Sequence, residues 1–168
     1  MAEEGMRALA QGLPRVVKNP FDLEARSDCL YGAWLCGSVL GTVGSALHHK
    51  LCHVLGGTWN LPHAETHTVV LPHAIAYNYE AAPEAMKRIE RALNVSHAAQ
   101  RVYDLIKTLG APRALKDIGM QEAGLDRAAE LATQALYFNP HPPDRASVRE
   151  LLEAAFHGSP PKTRGLAK

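Results

Sequence analysis

Apolar residues in this chain recur every three or four positions almost from end to end, interrupted by proline and glycine. That period is the mark of helices with one buried face. It predicts an all-α protein, a helical bundle of about seven to eight helices. A first helix is expected over 3–13, stopped by Pro14, and a long one over 22–43 with acidic residues in its first turn. The next spans 46–55 and is closed by Gly56-Gly57, a pair suited to a left-handed C-terminal cap. Residues 66–71 are β-branched enough for a strand, yet Pro72 argues against one, so 62–78 is read as a buried, proline-kinked helix. Further helices follow at 83–93, at 96–109 with Ser96 as cap, at 121–136, and after a capping Asp144. Residues 1–157 form one helical domain on this reading, and 158–168 a flexible C-terminal tail.

Residues 29–47 carry no charge, and Gly37 and Gly41 make a GxxxG pair. A membrane span of that length is conceivable, but four glycines with Ser38, Thr42 and Ser45 leave the segment only mildly apolar. It is read instead as a central helix packed closely on every side. No membrane partner is expected. The balance of 18 Lys+Arg against 17 Asp+Glu gives no electrostatic support for nucleic acid either. Cys29, Cys36 and Cys52 are an odd set, and the first two lie two helical turns apart, too far for a bridge. Reduced thiols and early acids in Met-Ala-Glu-Glu-Gly point to a cytoplasmic protein without a signal peptide.

Chemistry is concentrated in one stretch. Five of nine histidines fall within 48–67, and His49/His53 and His63/His67 are each four apart, one turn along a helix face. Imidazoles ligate Zn²⁺ or Fe²⁺ and move protons near neutral pH. No carboxylate in a ligand-like spacing accompanies them; Glu65, two positions from His63, points to a different side of a helix. Two imidazoles alone make a poor catalytic metal site. No glycine-rich phosphate turn follows a strand, so a redox cofactor would be held mostly by something outside these residues.

Ala46-Leu47-His48-His49-Lys50-Leu51-Cys52-His53, Asn60-Leu61-Pro62-His63-Ala64-Glu65-Thr66-His67 and Leu71-Pro72-His73, with Ala76-Tyr77-Asn78 just beyond, resemble the maleylacetate reductases of the iron-containing alcohol dehydrogenase superfamily. The likeness covers essentially the whole chain. That superfamily joins a Rossmann-like domain for NAD(P)H to a C-terminal helical domain, and this chain resembles the second alone. The resemblance implies that His49 and His63 are metal ligands, the other two lying upstream of Met1. It implies that His53 faces nicotinamide and substrate, and that His67 is a substrate contact. His53, His63 and His67 are thus the expected catalytic group. Asn139-Pro140-His141 departs from the Asn-Pro-Arg common in relatives.

The implied reaction is NAD(P)H-dependent reduction of maleylacetate, a dicarboxylate, to 3-oxoadipate in aromatic catabolism. A metal, Fe²⁺ or Zn²⁺, would assist without being required. Activity of the isolated chain is expected to be negligible, with a separate Rossmann-like domain as partner and a homodimer as a further expectation. Two other readings stay open: a truncated, non-catalytic helical scaffold, and a metal-binding domain like that of an iron-containing alcohol dehydrogenase.

Overall fold

The computed structural model describes residues 1–162, and these contain eight α-helices and no strand. The helices are α1 (Ala2–Lys18), α2 (Leu23–Leu40), α3 (Leu47–Trp59), α4 (His63–Asn78), α5 (Pro83–Leu93), α6 (Ala98–Thr108), α7 (Leu125–Thr133) and α8 (Arg145–His157). Short 3-10 turns at Leu115–Ile118 and Glu122–Gly124 precede α7. The helical bundle expected from periodicity is what forms.

The core lies among α3, α4, α7 and α8. Leu47, Leu51 and Leu55, spaced one turn apart, form the buried stripe of α3. It meets Val69 and Val70 of α4, Leu125, Ala128, Ala129 and Ala132 of α7, and Val148, Leu152 and Ala155 of α8. The alanines of α7 let it approach α3 and α8 closely. Around this core α6 packs on α4, and α1 reaches α5, where Arg91 donates to Glu3 at 2.7 Å.

Helices α1 and α2 form a hairpin held by glycines. A methyl group on Gly5 would lie 2.6 Å from Cys36 Sγ and 3.0 Å from the Gly32 carbonyl oxygen. One on Gly32 would lie 2.8 Å from Leu9 Cγ and 2.9 Å from the Gly5 carbonyl. Gly37 and Gly41, the pair singled out by spacing, approach no other helix this closely. Nor is α2 enclosed on every side: Leu23, Leu30 and Trp34 are 77%, 73% and 64% exposed. All three cysteines are free, and no helix among the described residues is long and apolar enough to cross a membrane.

Several expected boundaries move. Helix α1 runs through Pro14, and its bonding resumes at once, Asn19 N–H reaching the Arg15 carbonyl at 2.8 Å. Packing along α2 compensates for the bond that the proline lacks. Helix α2 ends at Leu40, before 43. Gly56 and Gly57 lie inside α3, and Asn60, at φ 53, is the left-handed cap. The added turn brings Trp59 against Gly124, where a methyl group would lie 2.9 Å from its Nε1. His97, not Ser96, is the N-cap of α6, and the helix expected over 121–136 divides into a 3-10 turn and α7. Asp144 caps α8 as expected, accepting from Ser147 N–H at 2.9 Å. Gly158 closes that helix at φ 66, and its carbonyl accepts from the Tyr103 hydroxyl at 2.6 Å. The part of the expected flexible tail at 163–168 lies outside the described residues.

Candidate functional site

Helices α3 and α4 are joined by three residues, Asn60, Leu61 and Pro62. The left-handed Asn60 turns the chain back, and buried Leu61 fixes the turn in the core. Pro62 precedes the first helical residue, and its carbonyl accepts from Thr66 Oγ1 at 2.7 Å, buried beneath the first turn of α4. Helix α4 therefore packs back against α3, and its first turns meet the middle and first turns of α3.

Because Leu47, Leu51 and Leu55 face the core, the next stripe of α3 holds His48 and Cys52, and the one beyond it His49 and His53. On α4 the matching stripe holds His63 and His67. The imidazoles converge. Ring centroids are 6.4 Å apart for His53 and His63, 4.4 Å for His63 and His67, and 5.0 Å for His49 and His67. His49 and His53 are 6.3 Å apart, and His48 and His67 4.8 Å. His53 and His63 are exposed, whereas His48, His49 and His67 are half-buried. The residues expected at the site, His49, His53, His63 and His67, are thus brought together on one surface.

The environment of His48, His49 and His67 favours the neutral form. Burial, reinforced by the surrounding imidazoles, holds His67 down at about 4. Burial and then His53 and His63 lower His49. Burial lowers His48 too, against a hydrogen bond that favours its charged form. That bond joins His48 Nε2 to the His67 carbonyl at 3.0 Å. A carbonyl only accepts, so Nε2 carries the proton and Nδ1 the lone pair. His67 Nε2 is buried and has no hydrogen-bond partner among protein atoms.

Among the described residues, three donor atoms converge within 4.8 Å at His48, Cys52 and His67, and at Glu122, Glu153 and His157. His49 and His63 belong to neither group. They offer two imidazoles on facing helices, and a stable catalytic ion needs at least one more ligand. The chemistry of the pair fits a divalent cation completed by donors from elsewhere.

Sequence reasoning left several supporting residues unnoticed. Asn139 is buried, accepts from Leu47 N–H at 3.3 Å, and donates to Asn78 Oδ1 at 2.7 Å and the His141 carbonyl at 2.6 Å. It ties the first turn of α3 to the last turn of α4, fixing the register that opposes the histidines. Its signal was the Asn139-Pro140-His141 motif, weighed only for the residue that it lacks. Cys52, buried beside His48, was noted only as a reduced thiol; burial pushes its thiol up to about 12. His73 is 4% exposed, has an unpartnered Nε2, and is held at about 4 by burial. It lines a cavity of about 430 Å³ between α4 and α8 with Tyr77, Ser147, Leu151 and His157, a cavity none of the five clustered histidines borders.

Comparison with known proteins places this arrangement. Residues 1–156 match the C-terminal part of the Fe-containing alcohol dehydrogenase family. A maleylacetate reductase of Pseudomonas sp. (strain P51) is 57% identical over 162 residues, covering 96% of this chain and 46% of the relative. Maleylacetate reductase 1 of Rhodococcus opacus is 48% identical over 160 residues, 95% of this chain and 45% of the relative. Among solved structures, a putative alcohol dehydrogenase of Ralstonia eutropha JMP134 superposes with a TM-score of 0.93 at 61% identity, over 95% of this chain and 46% of that one. The maleylacetate reductase of Agrobacterium tumefaciens gives 0.91 at 48% identity, over 95% and 45%. The chain spans about half the length of the relatives it matches. Its helical fold, its sequence and the coverage agree: the chain belongs to the Fe-containing alcohol dehydrogenase family, as that family's C-terminal domain.

Proposed function

We propose that this chain is the substrate-side half of a maleylacetate reductase, acting with a nucleotide-binding half on the 2,3 double bond of maleylacetate to give 3-oxoadipate. The observation that carries the reading is the convergence of His49, His53, His63 and His67 on one face of the α3–α4 hairpin. The surface beside them is open, with His53 and His63 exposed, as expected where a second domain closes the pocket.

A nicotinamide held by the nucleotide-binding half would, when bound, supply the hydride. The other requirements fall to residues of this chain. Negative charge builds on the conjugated carbonyl oxygen and needs a positive group or hydrogen-bond donor beside it. His53, exposed and at the rim of the cluster, is the proton donor to the adjacent carbon. His67, deeper and neutral, orients the dicarboxylate through a hydrogen bond. His49 and His63 would hold Fe²⁺ or Zn²⁺, which when bound would polarise the carbonyl oxygen. An activated C=C requires less polarisation than an alcohol, so the imidazoles can sustain a rate without it.

The test is reconstitution. The chain is mixed with the nucleotide-binding half of one of the related maleylacetate reductases, and NADH or NADPH consumption is followed with maleylacetate. Turnover in the mixture and none in either half is the expected result. A folded, associated mixture with no rate above background sinks the proposal.

A further inference from the structure

We infer that His48, Cys52 and His67 form a binding site for a thiolate-seeking d¹⁰ cation, Cu⁺ by charge balance, separate from the His49/His63 pair. His48 and Cys52 are one turn apart on α3, His67 faces them from α4, and their donor atoms all lie within 4.8 Å of one another. Both helices are anchored in the core, Cys52 being 1% exposed, so the donors are held by packing. A separate observation marks the place as a ligand site. His67 Nε2 is buried with no partner, a cost that coordination would remove. His48 Nε2 bonds a backbone carbonyl, which leaves the lone pair that a metal would need on Nδ1.

The choice of ion follows from softness and charge. Thiolate with imidazole selects Cu⁺ or Zn²⁺ over hard cations. The group holds no carboxylate, and the thiol is its one donor that binds as an anion. On binding, the S–H bond breaks, the proton leaves to solvent and a metal–sulfur bond forms. With Cu⁺, one thiolate and two neutral imidazoles the product is uncharged. With Zn²⁺ it carries +1 in a half-buried place, which low dielectric disfavours. Occupancy engages His67, so a cation here would compete with any substrate contact made by that ring. The site itself stands whether or not the reductase proposal does.

Anaerobic titration of the reduced chain with Cu⁺, against chromophoric Cu⁺ chelators of graded strength, tests the inference. A Cys29→Ala/Cys36→Ala background removes the two other thiols. Expected are one Cu⁺ retained per chain and one proton released. Cys52→Ser should weaken retention by about 100-fold and His67→Gln by about 10-fold, whereas His49→Gln/His63→Gln should leave it nearly unchanged. X-ray absorption of the loaded background chain should show one sulfur and two nitrogen neighbours, a readout that survives even if a variant misfolds. Unchanged retention in folded Cys52→Ser, loss that follows His49 and His63, or a spectrum without sulfur overturns the site. Zinc held more tightly than Cu⁺ overturns the assignment of the ion.

Discussion

His73 and His53 show how one residue type takes opposite roles on neighbouring helices. His73 is 96% buried on α4, with no partner for Nε2, and burial holds it at about 4, below the ordinary 6.5. The unfolded chain therefore takes up the proton first. Stability contributed by the neutral ring is complete above about pH 6.5 and is lost as pH falls toward 4. Between pH 7 and pH 4.5 the wild-type chain should lose on the order of 2 kcal/mol more than His73→Gln, read from urea midpoints at both pH values. An equal loss in both would show that the buried ring does not titrate this way. His53, by contrast, is exposed at the rim of the cluster. In the reconstituted enzyme His53→Gln should lower kcat by about 10²–10⁴-fold with little change in KM. A variant with near wild-type kcat would remove His53 as the proton donor. Both positions could be named from sequence; which imidazole would be sealed in the interior depended on which stripe of α4 met α8.

At the scale of elements, the α1–α2 hairpin separates glycines that are needed from glycines that are merely present. A methyl group on Gly32 meets the Gly5 backbone at 2.9 Å, and backbone cannot yield as a side-chain tip can. Gly32→Ala should cost about 1–3 kcal/mol. Gly37 has nothing within 4 Å of the same position, so Gly37→Ala should stabilise the helix by about 0.5–1 kcal/mol. Urea unfolding of the two variants decides; equal effects would mean that the hairpin is not packed this closely. The GxxxG spacing of Gly37 and Gly41 was visible in the sequence, but spacing along one helix carries no information about which neighbour arrives. Gly5 and Gly12 lie on α1 and Gly32 on α2, so no single short motif joins them. The same limit explains Pro14 and Gly56-Gly57, both expected to end helices. Local propensity disfavours each by a few kcal/mol at most, and tertiary packing exceeded that.

For the whole molecule, the exposed face of α2 is the feature that the core does not explain. Leu30 and Trp34, with Leu23 two turns before Leu30, present apolar surface that α1 leaves uncovered. Contiguous patches of this kind drive association. The chain should associate with a copy of itself at micromolar to millimolar concentration, and Leu30→Lys/Trp34→Lys should return it to a monomer. Size-exclusion chromatography with light scattering reads the outcome, and a wild-type monomer throughout that range would assign no role to this face in self-association.

Periodicity alone determined that the chain is helical, because a buried stripe every 3.6 residues is written into the order of the side chains. The four-residue spacings of His49/His53 and His63/His67 likewise determined that each pair would share a face. Only the tertiary structure decided that the two faces meet. The left-handed Asn60, the buried Leu61 and the Asn139 clamp set the register of α3 against α4, and those contacts join residues up to 92 positions apart. No local pattern encodes a contact at that range, since its free energy arises only once both partners are in place.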